Sequence, residues 1–220
     1  RLFIASSTDL KKWIKHGSVF KHAENGKYIN YWSKAGAIVC EIKQGKMVAA
    51  KINGKYWMYW GESNIYAATS DNLVDWVPLP ETDPAKKQYD TLRNYEAFKI
   101  VFGPRPGKFD SQLVEPGPPA IVTNAGIVFL YNSRNSPVSG DKSLAEGTYA
   151  AGQILLDKNN PLQVIDRCDN YFIKPDKPYE ITGQVNNVCF IEGLVQFNNK
   201  WFLYYGTADS KIAVATGEVK

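Results

Sequence analysis

Three acidic residues stand in segments that could hold a reactive group: Glu115, Glu192 and Asp209. Glu115 lies in the segment 113–119, Leu-Val-Glu-Pro-Gly-Pro-Pro, whose prolines cannot donate to a strand ladder and leave the carboxylate few conformations. Glu192 occupies the same place in the next repeat of the chain, and Asp209 follows an aromatic strand. Carboxylates that meet in an aromatic-lined channel fit glycoside hydrolysis, in which one protonates the leaving oxygen and another activates water or attacks the sugar.

Each of these positions also has a purely structural interpretation. Glu115 could cap a turn or pair with a lysine at the rim, and the other acids could be exposed turn residues. Glu62, which follows Trp60 and Gly61, is interpreted as an exposed turn residue. The types of these residues therefore define candidates, and the fold decides which of them meet.

The composition excludes several other chemistries. Two histidines near one end and three well-separated cysteines form no CxxC pair, so no metal site, cofactor or histidine cluster is expected. The net charge of +4 comes from interspersed charges of both signs, which does not indicate nucleic-acid binding. No apolar run reaches the roughly 18 to 20 residues of a membrane helix. The aromatic content of 13% favours an all-β protein that stacks sugars, and the compartment stays open.

A repeat supplies the elements that must position the acids. An outer turn with the pattern Ser-x-x-Leu-x-x-Trp ends at Trp13 and again at Trp76. An Asn-containing turn precedes an aromatic strand three times, and Asn-Gly between two apolar runs is a strong hairpin signal. A short apolar strand comes before each turn and a strand rich in small residues follows. The aromatic segments are 56–61, 127–132 and 201–206.

Units of three or four antiparallel strands, repeated roughly every 60 to 75 residues, are typical of β-propeller blades. A β-sandwich is the alternative, but it gives no reason for the repeated outer turn. We therefore predict an all-β propeller, as one domain over residues 1–220. The chain covers about three and a half blades and is expected to lack an N-terminal portion of the ring, since propellers close with roughly 4 to 8 blades. The polar segment 84–96 is predicted as a loop or one helical turn.

Several motifs, in order along the chain, resemble glycoside hydrolase family 130. They are the segments 114–121, 152–157, 164–167, 179–180 and 204–209, together with the strand end at Asn132. The resemblance implies a five-bladed β-propeller that acts on β-mannosides by single-displacement inversion, as either a phosphorylase or a hydrolase. Asp209 resembles the aspartate that binds mannosyl hydroxyls. Asp110, Tyr131, Asn132 and Tyr205 lie within residues 110–209, where the resemblance is strongest, and are also predicted to bind the substrate.

Departures from the family pattern bear on the nucleophile. The phosphorylases carry a His-Arg pair where this chain has Trp60 and Gly61, and a lysine where it has Leu113. Without those cations a phosphate dianion would be costly to desolvate. Glu115 is therefore predicted as a general base that activates water. The position of the family's general acid falls near Gln44 or Glu41, and glutamine cannot donate a proton as an acid does, so the acid is left unassigned.

These observations predict an inverting glycoside hydrolase whose partner is an oligosaccharide or glycan, with Glu115 and Glu192 as the catalytic carboxylates. The first alternative is a β-mannoside phosphorylase. The second is a carbohydrate-binding propeller without turnover, which is motivated by Gln44 at the apparent acid position and by the missing upstream blade. A protein-interaction propeller is a third interpretation, and it requires no carboxylate cluster in the channel.

Overall fold

The computed structural model of this chain describes residues 1–86 and 97–219. Of the segment 84–96, which is predicted above as a loop or one helical turn, residues 87–96 lie outside the described residues. The regular structure of the described part is nearly all strand. A 3-10 turn spans Ala23–Gly26, and a short helix, α1, spans Pro178–Ile181.

The strands follow the predicted repeat. In the first half of the chain they are β1 (Phe3–Ser6), β2 (Ile14–Ser18), β3 (Gly36–Lys43), β4 (Lys46–Ala49), β5 (Lys51–Ile52), β6 (Lys55–Trp60), β7 (Ile65–Ser70), β8 (Trp76–Pro78) and β9 (Ile100–Phe102). In the second half they are β10 (Leu113–Pro116), β11 (Ala120–Val122), β12 (Ile127–Arg134), β13 (Tyr149–Leu156), β14 (Val164–Arg167), β15 (Cys189–Phe197), β16 (Lys200–Thr207) and β17 (Lys211–Glu218).

These strands form a two-stranded sheet, a curled twelve-stranded sheet and a three-stranded sheet. β1 pairs with β2, and β15, β16 and β17 form an antiparallel meander. The large sheet runs β14-β13-β12-β11-β3-β6-β7-β8, with β10 beside β12, β4 beside β3, β5 beside β6 and β9 beside β7. Strands are antiparallel within each repeat, whereas β11 and β3 run parallel and join two repeats. The prediction of an all-β five-bladed propeller, of which the chain covers part, is confirmed.

The Asn turns close the hairpins in the way that the sequence predicts. Asn53 and Gly54 have φ of 53° and 81°, between β5 and β6. Asn198 and Asn199 have φ of 48° and 59°, between β15 and β16. Two consecutive positive φ angles give a turn whose twist matches that of the flanking strands, and asparagine and glycine tolerate this conformation best.

The repeats pack through aromatic strands laid against small residues. The ring of Tyr59 on β6 stacks on that of Phe129 on β12, with centroids 4.9 Å apart, and its hydroxyl donates to the carbonyl of Pro161 at 2.9 Å. A Cβ on Gly152 of β13 would lie 2.4 Å from the ring of Tyr131. Gly152 is the cross-strand partner of Tyr131 in the same sheet, so the absence of a side chain there leaves room for the tyrosine ring.

The starts of several strands that face the centre of the propeller lie together at one edge of the structure. Because β3 and β11 run parallel, Lys34 before β3 and Glu115 on β10 lie on the same side. A parallel bridge between Tyr149 and Val188 brings the start of β15 to that side as well. The Asn turns lie at the opposite ends of these strands.

Candidate functional site

A cavity of about 450 Å³ opens on this side, within the range typical of small-ligand sites. Its lining combines charged, aromatic and aliphatic side chains: Lys34, Arg134, Tyr149, Val185, Val188, Phe190, Glu192 and Asp209. A second cavity of about 380 Å³ shares Lys34, Phe190 and Glu192 with it. The two cavities are therefore adjacent, and the shared side chains lie between them.

Lys34 joins two carboxylates at this site. Its Nζ lies 3.3 Å from Oε1 of Glu115 and 3.2 Å from Oε1 of Glu62. Glu115 therefore pairs with a lysine, as its structural interpretation predicts. It is only 1% exposed, however, so it lies in the interior and not at an exposed rim. Glu62 is only part-buried and belongs to the same cluster, so its interpretation as a simple exposed turn residue is wrong.

The pKa of the Glu115 carboxyl is higher in this environment than in water. Burial raises the pKa of this carboxyl, Lys34 acts against that effect, and the nearby carboxylate of Glu62 raises the pKa further. Its second oxygen, Oε2, is buried without a hydrogen-bond partner among the described residues. A buried polar atom without a partner marks a position where a ligand or water can bind.

The segment before β3 places Lys34 over these acids. Burial alternates along it, with Tyr31 and Ser33 buried and Trp32 and Lys34 exposed, as in an extended chain. Ser33 Oγ accepts a hydrogen bond from the Gly61 amide at 3.1 Å and donates to a carbonyl two residues later. Because Gly61 precedes Glu62, this anchor fixes the segment beside the cluster.

Glu192 and Asp209 line the same cavity, as their predicted convergence requires. Burial raises the pKa of Glu192, although its side chain stays exposed at the cavity surface. Asp209 has a φ of 49° in the turn after β16. The backbone of this turn is held by the Ala208 amide, which donates to the carbonyl of Val188 at 3.0 Å. Glu115 is buried and lines neither cavity, but it contacts Lys34, which lines both.

Arg134 is a cavity residue that the sequence analysis missed. Its guanidinium lies over the ring of Tyr149, 5.8 Å from the centroid, and its Nε is buried without a partner among the described residues. Arg134 ends an aromatic strand whose other motif residues are interior, and no sequence signal distinguished it from a solvent-exposed arginine.

The structure corrects the prediction that Asp110 and Tyr131 bind substrate. Asp110 is fully buried and accepts hydrogen bonds from Arg105 at 2.9 Å, from Arg167 at 2.6 Å and from the Tyr131 hydroxyl at 2.7 Å. Tyr131 is also fully buried. Buried charges are stable only when they are paired in this way, so the cluster ties the blade together and presents no free group to a sugar.

Asn132 and Tyr205 make structural contacts and do not line the cavity that holds Glu192 and Asp209. Asn132 is fully buried, donates to the carbonyl of Ile191 at 2.9 Å and accepts from its amide at 2.7 Å, which links β12 to β15. Tyr205 is 6% exposed and donates to Oε1 of Glu180 at 2.7 Å. Both side chains therefore join neighbouring elements behind the cavity.

Gln44 and Glu41, near which the position of the family's general acid falls, do not line the cavity. Gln44, with a φ of 52°, forms the two-residue turn between β3 and β4, and Glu41 pairs with Lys43 at 2.6 Å. The eight residues of β3, Gly36–Lys43, extend about 25 Å away from the cavity and end just before Gln44. Gln44 is therefore remote from this cavity, which removes one of the two observations that motivated the non-catalytic alternative.

At the three positions where the resemblance implies cations in the phosphorylases, this chain has Trp60, Gly61 and Leu113. Trp60 is fully buried among aromatic rings and does not face the cavity. Gly61 has a φ of 126°, and a Cβ there would lie 2.3 Å from the carbonyl of Asn64. Leu113 is part-buried on β10. None of these three residues supplies a positive charge.

Within residues 1–86 and 97–219, no group of three or more His, Cys, Asp or Glu side chains is placed to hold a metal ion. Among the same residues, no helix has the length and apolar character needed to cross a bilayer.

A β-propeller with carboxylates around a polar cavity has the groups that a carbohydrate-processing enzyme needs, although the fold alone does not define the function. The sequence profile of one such family, described as beta-1,4-mannooligosaccharide phosphorylase, matches residues 1–220. The chain belongs to glycoside hydrolase family 130, a family of enzymes that process mannosides, and the resemblance stated above is confirmed.

Individual relatives differ in the reaction that they are named for. A 1,2-beta-oligomannan phosphorylase of Thermoanaerobacter sp. (strain X514) is 30% identical over 183 residues, covering 71% of this chain and 59% of that protein. A glycosyl hydrolase of Bacteroides ovatus is 47% identical with a TM-score of 0.91, covering 99% of this chain and 57% of that one. The chain thus spans about three fifths of the length of these relatives.

A further solved structure, at 47% identity and a TM-score of 0.91 over 99% of this chain and 58% of that one, comes from work on family 130 glycoside hydrolases that target β-1,2 mannosidic linkages in Candida mannan. The curated relatives are all named as mannoside phosphorylases. Their names favour the phosphorolytic alternative over the predicted hydrolysis.

Proposed function

We propose that this chain forms part of an active site that cleaves β-mannosidic bonds with water as the nucleophile. The observation that carries the proposal is the cluster of Glu115, Lys34 and Glu62, in which two carboxylates share one ammonium group beside the cavity. Glu115 acts as the general base in this proposal, and Glu192 as the general acid.

The environments of the two acids suit these roles. Burial raises the pKa of Glu192, which is the direction that a general acid requires. The pKa of Glu115 is also raised by burial, but Lys34 acts against that rise and favours the carboxylate form that a base requires. Glu115 has one oxygen bound to Lys34 and one, Oε2, without a partner. Water on Oε2 would lose a proton to Glu115 as its oxygen attacks the anomeric carbon. Glu192 would give its proton to the leaving oxygen, so the proton count balances.

Charge favours water over phosphate at this position. Lys34 is opposed by Glu115 and Glu62, so the cluster has an excess of negative charge when both acids are ionised. A phosphate dianion placed there would meet like charges in a partly desolvated site, which costs free energy. The positions Trp60, Gly61 and Leu113 supply no compensating cation.

Phosphorolysis is the second candidate. It is supported by the names of the curated relatives and by Lys34 and Arg134, which line one cavity and could hold a phosphate between them. The two candidates differ in one requirement, since phosphorolysis needs inorganic phosphate and hydrolysis does not.

The test incubates the purified protein with β-1,2- and β-1,4-linked mannooligosaccharides, with and without inorganic phosphate. We expect free mannose without phosphate, and the variant Glu115→Gln should lower kcat by about 100- to 10,000-fold, the usual contribution of a general base. Glu218→Gln, at an exposed glutamate on the last strand, is the matched control and should retain full activity. If cleavage requires phosphate and the product is mannose 1-phosphate, the reaction is phosphorolysis and the proposed hydrolysis is wrong.

A further inference from the structure

Trp32 lies at the edge of the carboxylate cluster and has no role in the reaction proposed above. Its indole N–H donates a hydrogen bond to Oε2 of Glu62, the oxygen that Lys34 does not contact. Glu62 is therefore held from two sides, by Lys34 on Oε1 and by Trp32 on Oε2.

The ring of Trp32 is available to solvent although its N–H is bound. The side chain is 47% exposed, while its neighbours Tyr31 and Ser33 are 9% and 1% exposed. The alternation places Trp32 and Lys34 on the same side of the segment, and Ser33 fixes the segment to the Gly61 amide. The position of the indole is thus set by the backbone anchor and by its hydrogen bond rather than by burial in the core.

An exposed, immobilised indole beside a sugar-processing cluster has a specific chemical use. The C–H faces of a pyranose ring are apolar, and tryptophan offers a large flat apolar surface with a polar N–H at one edge. Single exposed apolar side chains are common, so it is the hydrogen bond to Glu62, and not exposure alone, that distinguishes Trp32.

We propose that Trp32 is a positioning and specificity residue that stacks on a sugar unit of a mannooligosaccharide and, through the same indole, orients Glu62. This inference rests on the proposed function for its substrate class. Because the sugar would contact the ring face and Glu62 the ring edge, occupancy of this subsite fixes the carboxylate cluster at the same time. Long substrates should therefore gain both affinity and turnover from one residue.

Two variants separate the two roles. Trp32→Phe keeps an aromatic face and removes the N–H, so kcat should fall about tenfold while KM for the longest oligosaccharide changes less than twofold. Trp32→Ala removes both, so KM should also rise about tenfold, the value of one stacking contact. The rise in KM should shrink for mannobiose if that substrate is too short to reach Trp32. Trp13→Ala, at another exposed tryptophan (53% exposed), is the matched control and should change neither constant.

Binding measured without turnover keeps this inference separate from the proposed reaction. Calorimetry of mannotetraose with Glu115→Gln, alone and combined with Trp32→Ala or Trp32→Phe, should show about tenfold weaker binding only with the alanine. If the wild-type protein does not cleave mannosides but this pattern holds, the stacking role stands and the reaction is wrong. Equal binding in all three proteins, or equal kcat and KM in wild type and both single variants, would overturn the inference. Circular dichroism of each variant verifies that it is folded.

Discussion

Replacing Asp110 by asparagine tests whether this residue holds the fold together, as the structure indicates, or binds the substrate, as the sequence predicts. The carboxylate is fully buried and contacts Arg105, Arg167 and Tyr131. Asparagine keeps the shape but removes the charge, so two arginine side chains that are 23% and 11% exposed lose their common counter-ion. Breaking a buried ion pair on one side costs about 3–5 kcal/mol.

The measurement is urea unfolding followed by tryptophan fluorescence, with the unfolding temperature as a second readout. A loss of that size corresponds to a fall of about 6–20 °C for a chain of this length. Asp169→Asn is the control, because Asp169 is 71% exposed and contacts the same Arg105 at 3.5 Å; it should cost less than about 1 kcal/mol. A loss below about 1 kcal/mol in Asp110→Asn, together with a collapse of mannoside affinity, would refute the structural role.

Two further predictions concern the residues around the site. Glu115→Gln should be more stable than wild type at neutral pH. The pKa of Glu115 is raised in the folded protein, so the free energy of unfolding of the wild type falls as the pH rises from the unfolded-state pKa of about 4.3 through the folded-state pKa. Unfolding temperatures measured from pH 4 to pH 8 should diverge with rising pH, and a constant difference would contradict this. Gly61→Ala should destabilise by more than about 2 kcal/mol, because its φ of 126° and the nearby Asn64 carbonyl exclude a Cβ. Gly54→Ala, with φ of 81° and no atom within 4 Å, should cost about 1 kcal/mol in the same denaturation assay; equal losses in the two variants would contradict the steric reason.

The fold was predictable because its signals are local and repeat. The Asn turns need only two residues with positive φ, and the aromatic strands and small-residue strands recur at a fixed place after each turn. Three copies of the same short pattern leave few architectures other than blades. The order of the strands then follows from their antiparallel pairing.

The site was predicted less completely, because its chemistry depends on contacts between distant segments. Glu115 and Lys34 are 81 positions apart, and no local pattern marks Lys34 as its partner. Asp110 and Asn132 have polar side chains in conspicuous motifs, but burial decides that they serve the fold. Gln44 stands in the turn between β3 and β4, at the far end of β3 from the cavity, and its position in the sequence alone does not reveal that separation.

The most direct test of the central claim is the fate of oxygen during cleavage. Mannobiose is cleaved by the wild-type protein in ¹⁸O-labelled water that contains inorganic phosphate, and the products are followed by NMR and mass spectrometry. The account predicts one ¹⁸O atom at C1 of the released mannose, with the α-anomer formed first, and almost no product with Glu115→Gln. Unlabelled mannose 1-phosphate as the product, formed equally well by Glu115→Gln, would contradict it.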